Sequence, residues 1–238
     1  DTVGEGDMEG GRMEDNRAQV VEDKQEQAAV LSKALMPLFT HAVIYSVVQP
    51  PEKIYYRVYK KGDEYAVLLL YYWSFQAFPP HIDDYAPVIV ILNRSLVPKE
   101  IYYDQFHYKV GRFVNAFGVH RLWLIVNSSW RSMEVKYPEE VTSDAPYVPI
   151  YPYDAVGKRV VEVELIHLTD DVLRELRSKR VNPINIHDRI LRDPWSIRHA
   201  KTWSVYGDWT PGTLAYDLTK NWGIRLPRRE TRAEPLVD

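Results

Sequence analysis

The stretch YYWSFQAFPPHIDDYAPVIVIL, residues 71–92, decides the fold, because it sets a short polar insert between two apolar runs. The runs cover residues 66–78 and 87–92, and the insert is PPHIDD, residues 79–84. Short runs rich in Val, Ile and aromatic residues are typical of strands, whereas Pro and Asp are typical of turns. We therefore expect a strand, a polar corner and a second strand, with the polar side chains held at one rim of a sheet.

The composition is that of a globular chain. Of its 238 residues, 45% are hydrophobic and 26% are charged, and no apolar run reaches the roughly 18 residues of a transmembrane segment. The 17 Tyr and 7 Trp favour a sheet-rich protein with a binding face. A net charge of -3 without a basic block argues against nucleic acid as a partner, and the absence of cysteine excludes disulfides, thiol catalysis and Cys-type zinc sites.

The remaining patterns predict a mainly antiparallel β-sandwich with an N-terminal helix and one or two short C-terminal helices. Helical spacing ends at Pro37, a second helix starts after Thr169, and a last helix is expected at 212–222. The proline-rich stretch 136–154 is expected to be a long connection and not a central strand. The other expected strands are residues 42–48, 54–59, 101–108, 121–127 and 160–168.

For domain organisation, we expect a disordered tail at residues 1–13, a single β-sandwich domain at 14–225 and a C-terminal tail at 226–238. The N-terminal helix, at 14–36, carries an apolar stripe that docks either on its own domain or on a partner, including a second copy of the chain. The first residues, DTVGEGDMEGGR, do not have the pattern of a signal peptide.

The polar insert holds the sharpest candidate site. His81 and Asp84 have the i, i+3 spacing at which a turn can bring two ligands to one divalent ion such as calcium, magnesium, manganese or zinc. In the alternative interpretation, Asp83 and Asp84 are turn residues that bond their own backbone, and His81 is an exposed loop residue. His107 and His120 join this site if their strands are neighbours, or are ordinary sheet histidines.

One part of the chain resembles a known family. Tyr72-Trp73, then His81-x-x-Asp84-Tyr85 and a Val-rich strand, is similar to the core of the necrosis-inducing-like protein superfamily and its fungal vacuolar-sorting-like relatives. Their motif reads Gly-His-Arg-His-Asp-Trp-Glu. Asp83 stands where the motif has its second His, and Ala86 stands where it has Glu.

The resemblance, which spans about residues 54–130, implies a β-sandwich with a rim site. It implies a divalent ion, which the His, Asp and Glu positions help to bind in the necrosis-inducing branch, and binding of membrane sphingolipid headgroups in the cytolytic branch of the superfamily. It also extends to His120 and the following strand, although Trp130 replaces a later His of the relatives. The resemblance slightly favours a secreted or surface location.

These observations lead to three function hypotheses. The first is a non-enzymatic protein that binds a polar ligand, a glycan or lipid headgroup, through His81, Asp83, Asp84, Tyr85 and His120. The second is a structural subunit of a virion, filament or surface layer, and the third is a metal-dependent hydrolase. Near His199, between Trp195 and Trp203, Arg198 or Lys201 offers a cation beside aromatic rings, although core packing of these tryptophans is the simpler interpretation. Many Tyr, Pro and charged residues without cysteine also fit a thermophile.

Overall fold

A computed structural model describes residues 16–35, 38–42, 51–77, 80–106, 109–127, 132–140, 147–151, 161–178 and 186–203. Within these ranges the strands are β1 Gln19–Val20, β2 Leu38–Ala42, β3 Lys53–Lys61, β4 Glu64–Ala77, β5 Pro80–Leu92, β6 Pro98–Phe106, β7 Lys109–Val114, β8 Trp123–Asn127, β9 Met133–Lys136, β10 Tyr147–Tyr151, β11 Val161–Glu162 and β12 Glu164–His167. The helices are α1 Lys24–Ala34, α2 Asp170–Ser178 and α3 Asp188–Arg192, with 3-10 turns at Pro138–Glu140 and Pro194–His199.

The larger sheet is built around one long hairpin. Its order is β1-β3-β4-β5-β6-β7, all antiparallel, and β12 pairs in parallel with β3. Strands β4 and β5 pair from Tyr65 with Leu92 to Ala77 with Pro80. Residues 66–71 and 86–92 are buried on both faces of this sheet, which is why these strands read as continuous apolar runs without alternation.

A smaller mixed sheet, with order β11-β10-β2-β8-β9, packs on one face of the larger sheet. Val67 and Val90 of the larger sheet share this core with Leu124 and Val126 of the smaller one. Side chains of α1 also pack into this core. The expected mainly antiparallel β-sandwich is therefore confirmed.

The opposite face of the larger sheet is covered by the late helices. Ile89 packs there with Leu173 of α2, Ile190 of α3 and the buried rings of Trp195 and Trp203. The two tryptophans thus belong to the core. None of the helices in the described part of the chain is long and apolar enough to cross a bilayer.

The two predicted helices that the structure describes are confirmed as helices. The N-terminal helix is shorter than the predicted 14–36, because Asp23 caps it by accepting a hydrogen bond from Glu26 N at 2.7 Å. Its buried residues Val30 and Leu31 dock on its own domain. The helix after Thr169 is confirmed, and the predicted helix at 212–222 lies outside the described residues.

Two expectations about non-strand segments are wrong. Residues 80–84, expected as a corner, are the first residues of β5 and pair with β4. The stretch 136–154, expected to hold no central strand, contains β10, which lies inside the smaller sheet. Its Pro149 is tolerated because pairing with β2 ends at Pro149 and pairing with β11 begins at Ile150, so neither ladder needs the missing N–H in its middle.

Candidate functional site

A tyrosine–carboxylate cluster lies at the hairpin end of the larger sheet. The pairing of β4 with β5 places Tyr72 opposite Tyr85, with ring centroids 5.0 Å apart. The hydroxyl of Tyr72 donates a hydrogen bond of 2.6 Å to Oδ1 of Asp83, two residues before Tyr85 on the same strand. Asp83 has a φ of 57°, a backbone conformation that a non-glycine residue rarely adopts and that is often found at functional sites.

Tyr55 completes this cluster, which we call the tyrosine rim: Tyr55, Tyr72, Asp83 and Tyr85. Burial raises the pKa of Tyr55, and the nearby carboxylates of Glu164, Glu175 and Asp83 raise it further. Burial and Asp83 likewise raise the pKa values of Tyr72 and Tyr85. All three hydroxyls therefore stay protonated at neutral pH, and each has a proton that it can donate in a hydrogen bond.

The Tyr85 hydroxyl is a donor with unused capacity. Tyr85 is 8% exposed, and its Oη has no hydrogen-bond partner among the residues that the structure describes. A buried hydroxyl without a partner costs about 1–3 kcal/mol, so such a group is commonly explained by water or a ligand. Its ring lies 5.0 Å from that of Tyr72, which bonds Asp83, so Tyr85 belongs to the same cluster.

Three further polar residues border the tyrosine rim. The backbone N–H and the hydroxyl of Ser74 both donate to Oε1 of Glu52. The ammonium of Lys53 lies 5.8 Å from the centroid of the Tyr72 ring. The hairpin end of the sheet therefore presents carboxylates and aromatic rings together, with one lysine beside them.

Asp84 lies on the opposite face of the sheet. It pairs with Trp73, which packs in the core between the two sheets, and it is 8% exposed. Because side chains alternate along a strand, Asp83 faces the helices while Asp84 faces the smaller sheet. The two neighbouring carboxylates that the sequence placed together are therefore separated by the sheet itself.

In the described part of the chain, the predicted histidines are not brought together with Asp84. The backbone of His81 lies in β5, opposite Gln76, and His107 lies outside the described residues. His120 is exposed and follows β7, whose last residue Val114 is level with the far end of β5. The described residues contain no group of three potential metal ligands, and a divalent ion on His81 and Asp84 stays a prediction.

A cavity of about 300 Å³ lies at the far end of the larger sheet. We call it the Arg198 cavity; Asn93, Lys99, Glu100, Asn115 and Arg198 supply its polar wall. Sequence reasoning missed it, since its walls come from the β5–β6 turn, the end of β7 and the distant 3-10 turn that carries Arg198. Only the strand register brings these segments together.

Comparison with known proteins yields structural likenesses only: no family model and no curated protein matches this chain. Similar solved structures include "NLPPya in complex with glucosamine", at 14% identity and a TM-score of 0.47, covering 73% of this chain and 92% of that one. "Toxin fold for microbial attack and plant defense" has 13% identity and a TM-score of 0.43, and "NLPPya in complex with mannosamine" has 12% and 0.43, both with coverages of 73% and 92%. At TM-scores below 0.5 these likenesses support no statement about function. These solved structures have the necrosis-inducing-like toxin fold. Residues 72–92 of this chain are similar to the motif of the same superfamily.

Proposed function

We propose that this protein is a non-enzymatic binding protein whose tyrosine rim recognises a polar ligand, a glycan or a lipid headgroup. The observation that carries the proposal is the hydrogen bond from Tyr72 to Asp83, beside a Tyr85 hydroxyl that has no hydrogen-bond partner within the described ranges. This bond fixes a carboxylate and an aromatic ring side by side in a part-buried position. A prearranged group of this kind lowers the ordering cost of binding.

The chemistry of the tyrosine rim fits a sugar. A pyranose has an apolar C–H face and a periphery of hydroxyl groups, so it needs an aromatic surface next to polar partners. The rings of Tyr72 and Tyr85 supply the surface, and Asp83 supplies acceptor oxygens. The nearby Glu52 and Asp83 carboxylates also favour a ligand that carries an amino group.

The contacts at the tyrosine rim suit binding better than catalysis. Asp83 already accepts from Tyr72, and Glu52 already accepts from Ser74, so both carboxylates are oriented as acceptors. Raised pKa values keep the tyrosine hydroxyls protonated, which suits donation to a ligand and opposes their use as bases near neutral pH.

The test is a titration of the full chain with glucosamine, mannosamine and glucose, followed by calorimetry and by NMR of the tyrosine rim. Vesicles with and without a glycosylated lipid form a second arm that separates a free glycan from a lipid headgroup. We expect Asp83→Asn and Tyr72→Phe each to weaken binding by about tenfold, since the first removes the charge of the acceptor and the second removes the hydrogen bond that orients it.

The matched control is Tyr59→Phe. Tyr59 lies on the same face of β3 as Tyr55, but its hydroxyl donates to the backbone oxygen of Leu191, away from the tyrosine rim. We expect this variant to bind as the wild type does. Equal affinity of Asp83→Asn and wild type, or no saturable binding to any probe, would overturn the proposal.

A further inference from the structure

The Arg198 cavity is separate from the tyrosine rim and stands at the other end of the same strands. It lies between the turn that follows β5 and the loop that follows β7. Its volume of about 300 Å³ is at the lower end of the range for small-molecule pockets. Val97, Pro98 and Val114 form its apolar wall.

The acceptor oxygens of its polar wall are already used. Glu100 Oε1 accepts from Nη2 of Arg112 at 2.6 Å, and Oε2 accepts from Nε of Arg198 at 2.7 Å. Burial opposes ionisation, yet hydrogen bonds from the two arginines lower the pKa of Glu100 overall, so it stays charged. Oδ1 of Asn115 accepts from Val119 N, and its Nδ2 donates to two backbone oxygens.

The unused hydrogen-bonding capacity of the wall consists of donors. Oδ1 of Asn93 accepts from the backbone N–H groups of Ser95 and Val97, while its Nδ2 has no partner among the described residues. Arg198 reaches Glu100 and Glu64 through Nε and Nη2, which leaves Nη1 without a carboxylate partner in the described ranges. The Lys99 ammonium, 46% exposed, bonds only Glu64 among the described residues.

Cationic charge also exceeds anionic charge at this cavity. Lys99, Arg112 and Arg198 surround the two carboxylates of Glu64 and Glu100. Because both carboxylates are neutralised by these pairs, the residual field favours an anion. A fork of guanidinium N–H groups matches the oxygens of a carboxylate or a phosphate.

We propose that the Arg198 cavity binds a small organic anion, with its carboxylate or phosphate group bonded by Asn93, Lys99 and Arg198. The body of the ligand packs on Val97, Pro98 and Val114, and the cavity volume limits it to about the size of a monosaccharide. Binding at this cavity does not depend on binding at the tyrosine rim, so either proposal can fail while the other stands.

Calorimetric titration of the full chain with glucuronate, glucose 6-phosphate, glucose and inorganic phosphate tests this site. The first two probes separate a carboxylate from a phosphate ligand, and glucose tests the need for the charge. Asn93→Asp is the sharpest variant, because its carboxylate still accepts from Ser95 N and Val97 N but replaces a donor by a negative charge. Lys99→Gln is the second variant, since its exposed ion pair contributes little to folding.

We expect saturable binding of glucuronate or glucose 6-phosphate, weakened about tenfold or more by Asn93→Asp and severalfold by Lys99→Gln. Arg174→Gln, which removes an exposed arginine that does not line the cavity, is the matched control and should bind normally. Equal binding by Asn93→Asp and Arg174→Gln overturns the proposal. Binding of glucose as tightly as the anions also overturns the proposal. If inorganic phosphate binds and neither organic anion does, the cavity holds an adventitious ion only, and the proposal is again overturned.

Discussion

The two ends of the larger sheet share their strands and differ in chemistry. At the hairpin end, the tyrosine rim combines aromatic rings with the carboxylates of Asp83 and Glu52. At the other end, the Arg198 cavity has its carboxylates neutralised and its donors left over. The stretch of β5 from Asp83 to Leu92 rises about 3.3 Å per residue, so about 30 Å separates them.

This difference shows that the apolar middle of β4 and β5 acts as a scaffold. Its residues are buried on both faces and have little room to vary in chemistry. Polar residues appear where the strands leave the core, and the neighbouring segments at each end determine which polar groups that end presents. Substitutions at one end should therefore leave the other end unchanged, which the following predictions test.

The largest effect is expected from Glu100→Gln at the cavity end. Glu100 is buried, and its replacement by Gln removes the negative charge that Arg112 and Arg198 share, while Arg198 keeps its contact with Glu64. Because both arginines are partly exposed, we expect a loss of about 2 kcal/mol in the free energy of unfolding, less than for a fully buried pair. Denaturant unfolding measures this loss, and NMR shifts of Tyr72 and Tyr85 should stay unchanged. Shifted tyrosine signals would contradict the independence of the two ends.

The two ends should also differ in their pH dependence. Although burial opposes it, hydrogen bonds to Lys99, Arg112 and Arg198 lower the pKa values of Glu64 and Glu100 below the ordinary value of 4.5. Their stabilisation is therefore complete above about pH 4.5 and is lost as the pH falls through the lowered values. Glu100→Gln should flatten the loss of stability in acid, measured by denaturant unfolding between about pH 3 and pH 6.

The contribution of the tyrosine rim to stability should instead change at alkaline pH. Burial, followed by Asp83, raises the pKa values of Tyr72 and Tyr85 above the ordinary 10.0, so their stabilisation is present below about pH 10 and is lost as the pH rises through the raised values. A Tyr72→Phe/Tyr85→Phe double variant should lose stability less steeply above about pH 10, with an unchanged acid limb. An altered acid limb would count against the separation of the two ends.

A smaller effect of opposite sign is expected from Tyr85→Phe alone. The substitution removes a buried hydroxyl that has no partner among the described residues and keeps the ring packed on Tyr72. We expect the free energy of unfolding to rise by about 1 kcal/mol in the absence of ligand. A clear loss of stability would mean that the hydroxyl has a partner after all, and would remove one support of the proposed rim site.

The smallest effect is expected for the divalent ion on Asp84. We expect calcium, magnesium, manganese or zinc to raise the melting temperature by about 1–2 °C, because Ala86 supplies no carboxylate where the resembling motif has one. The rise should vanish in a His81→Ala/Asp84→Ala double variant, compared with and without metal. A rise of the same size in the double variant would assign the ion to another place.

Much of the fold follows from local pattern. The short apolar runs predicted most of the strands, and the helix predicted to start after Thr169 is α2. The turn between β3 and β4 also agrees with local chemistry, since Gly62 has a φ of 56° that glycine adopts without strain. Pro149 misled the prediction, because the effect of a proline depends on which neighbours pair at its level, and the sequence does not contain that register.

The sequence by itself determined the scaffold. The two apolar runs of the stretch 71–92 and its flank are too hydrophobic to face water, so they must pair as strands within a core. It also led to the prediction that Asp83 and Tyr85 lie at a rim. Only the tertiary structure decided which side chains meet there. Alternation along β5 separated Asp83 from Asp84, pairing brought Tyr72 to Asp83, and β6 with β7 carried Glu100 and Arg112 to Arg198. Contacts between residues that are distant in the chain depend on strand register and layer packing, which no local pattern encodes.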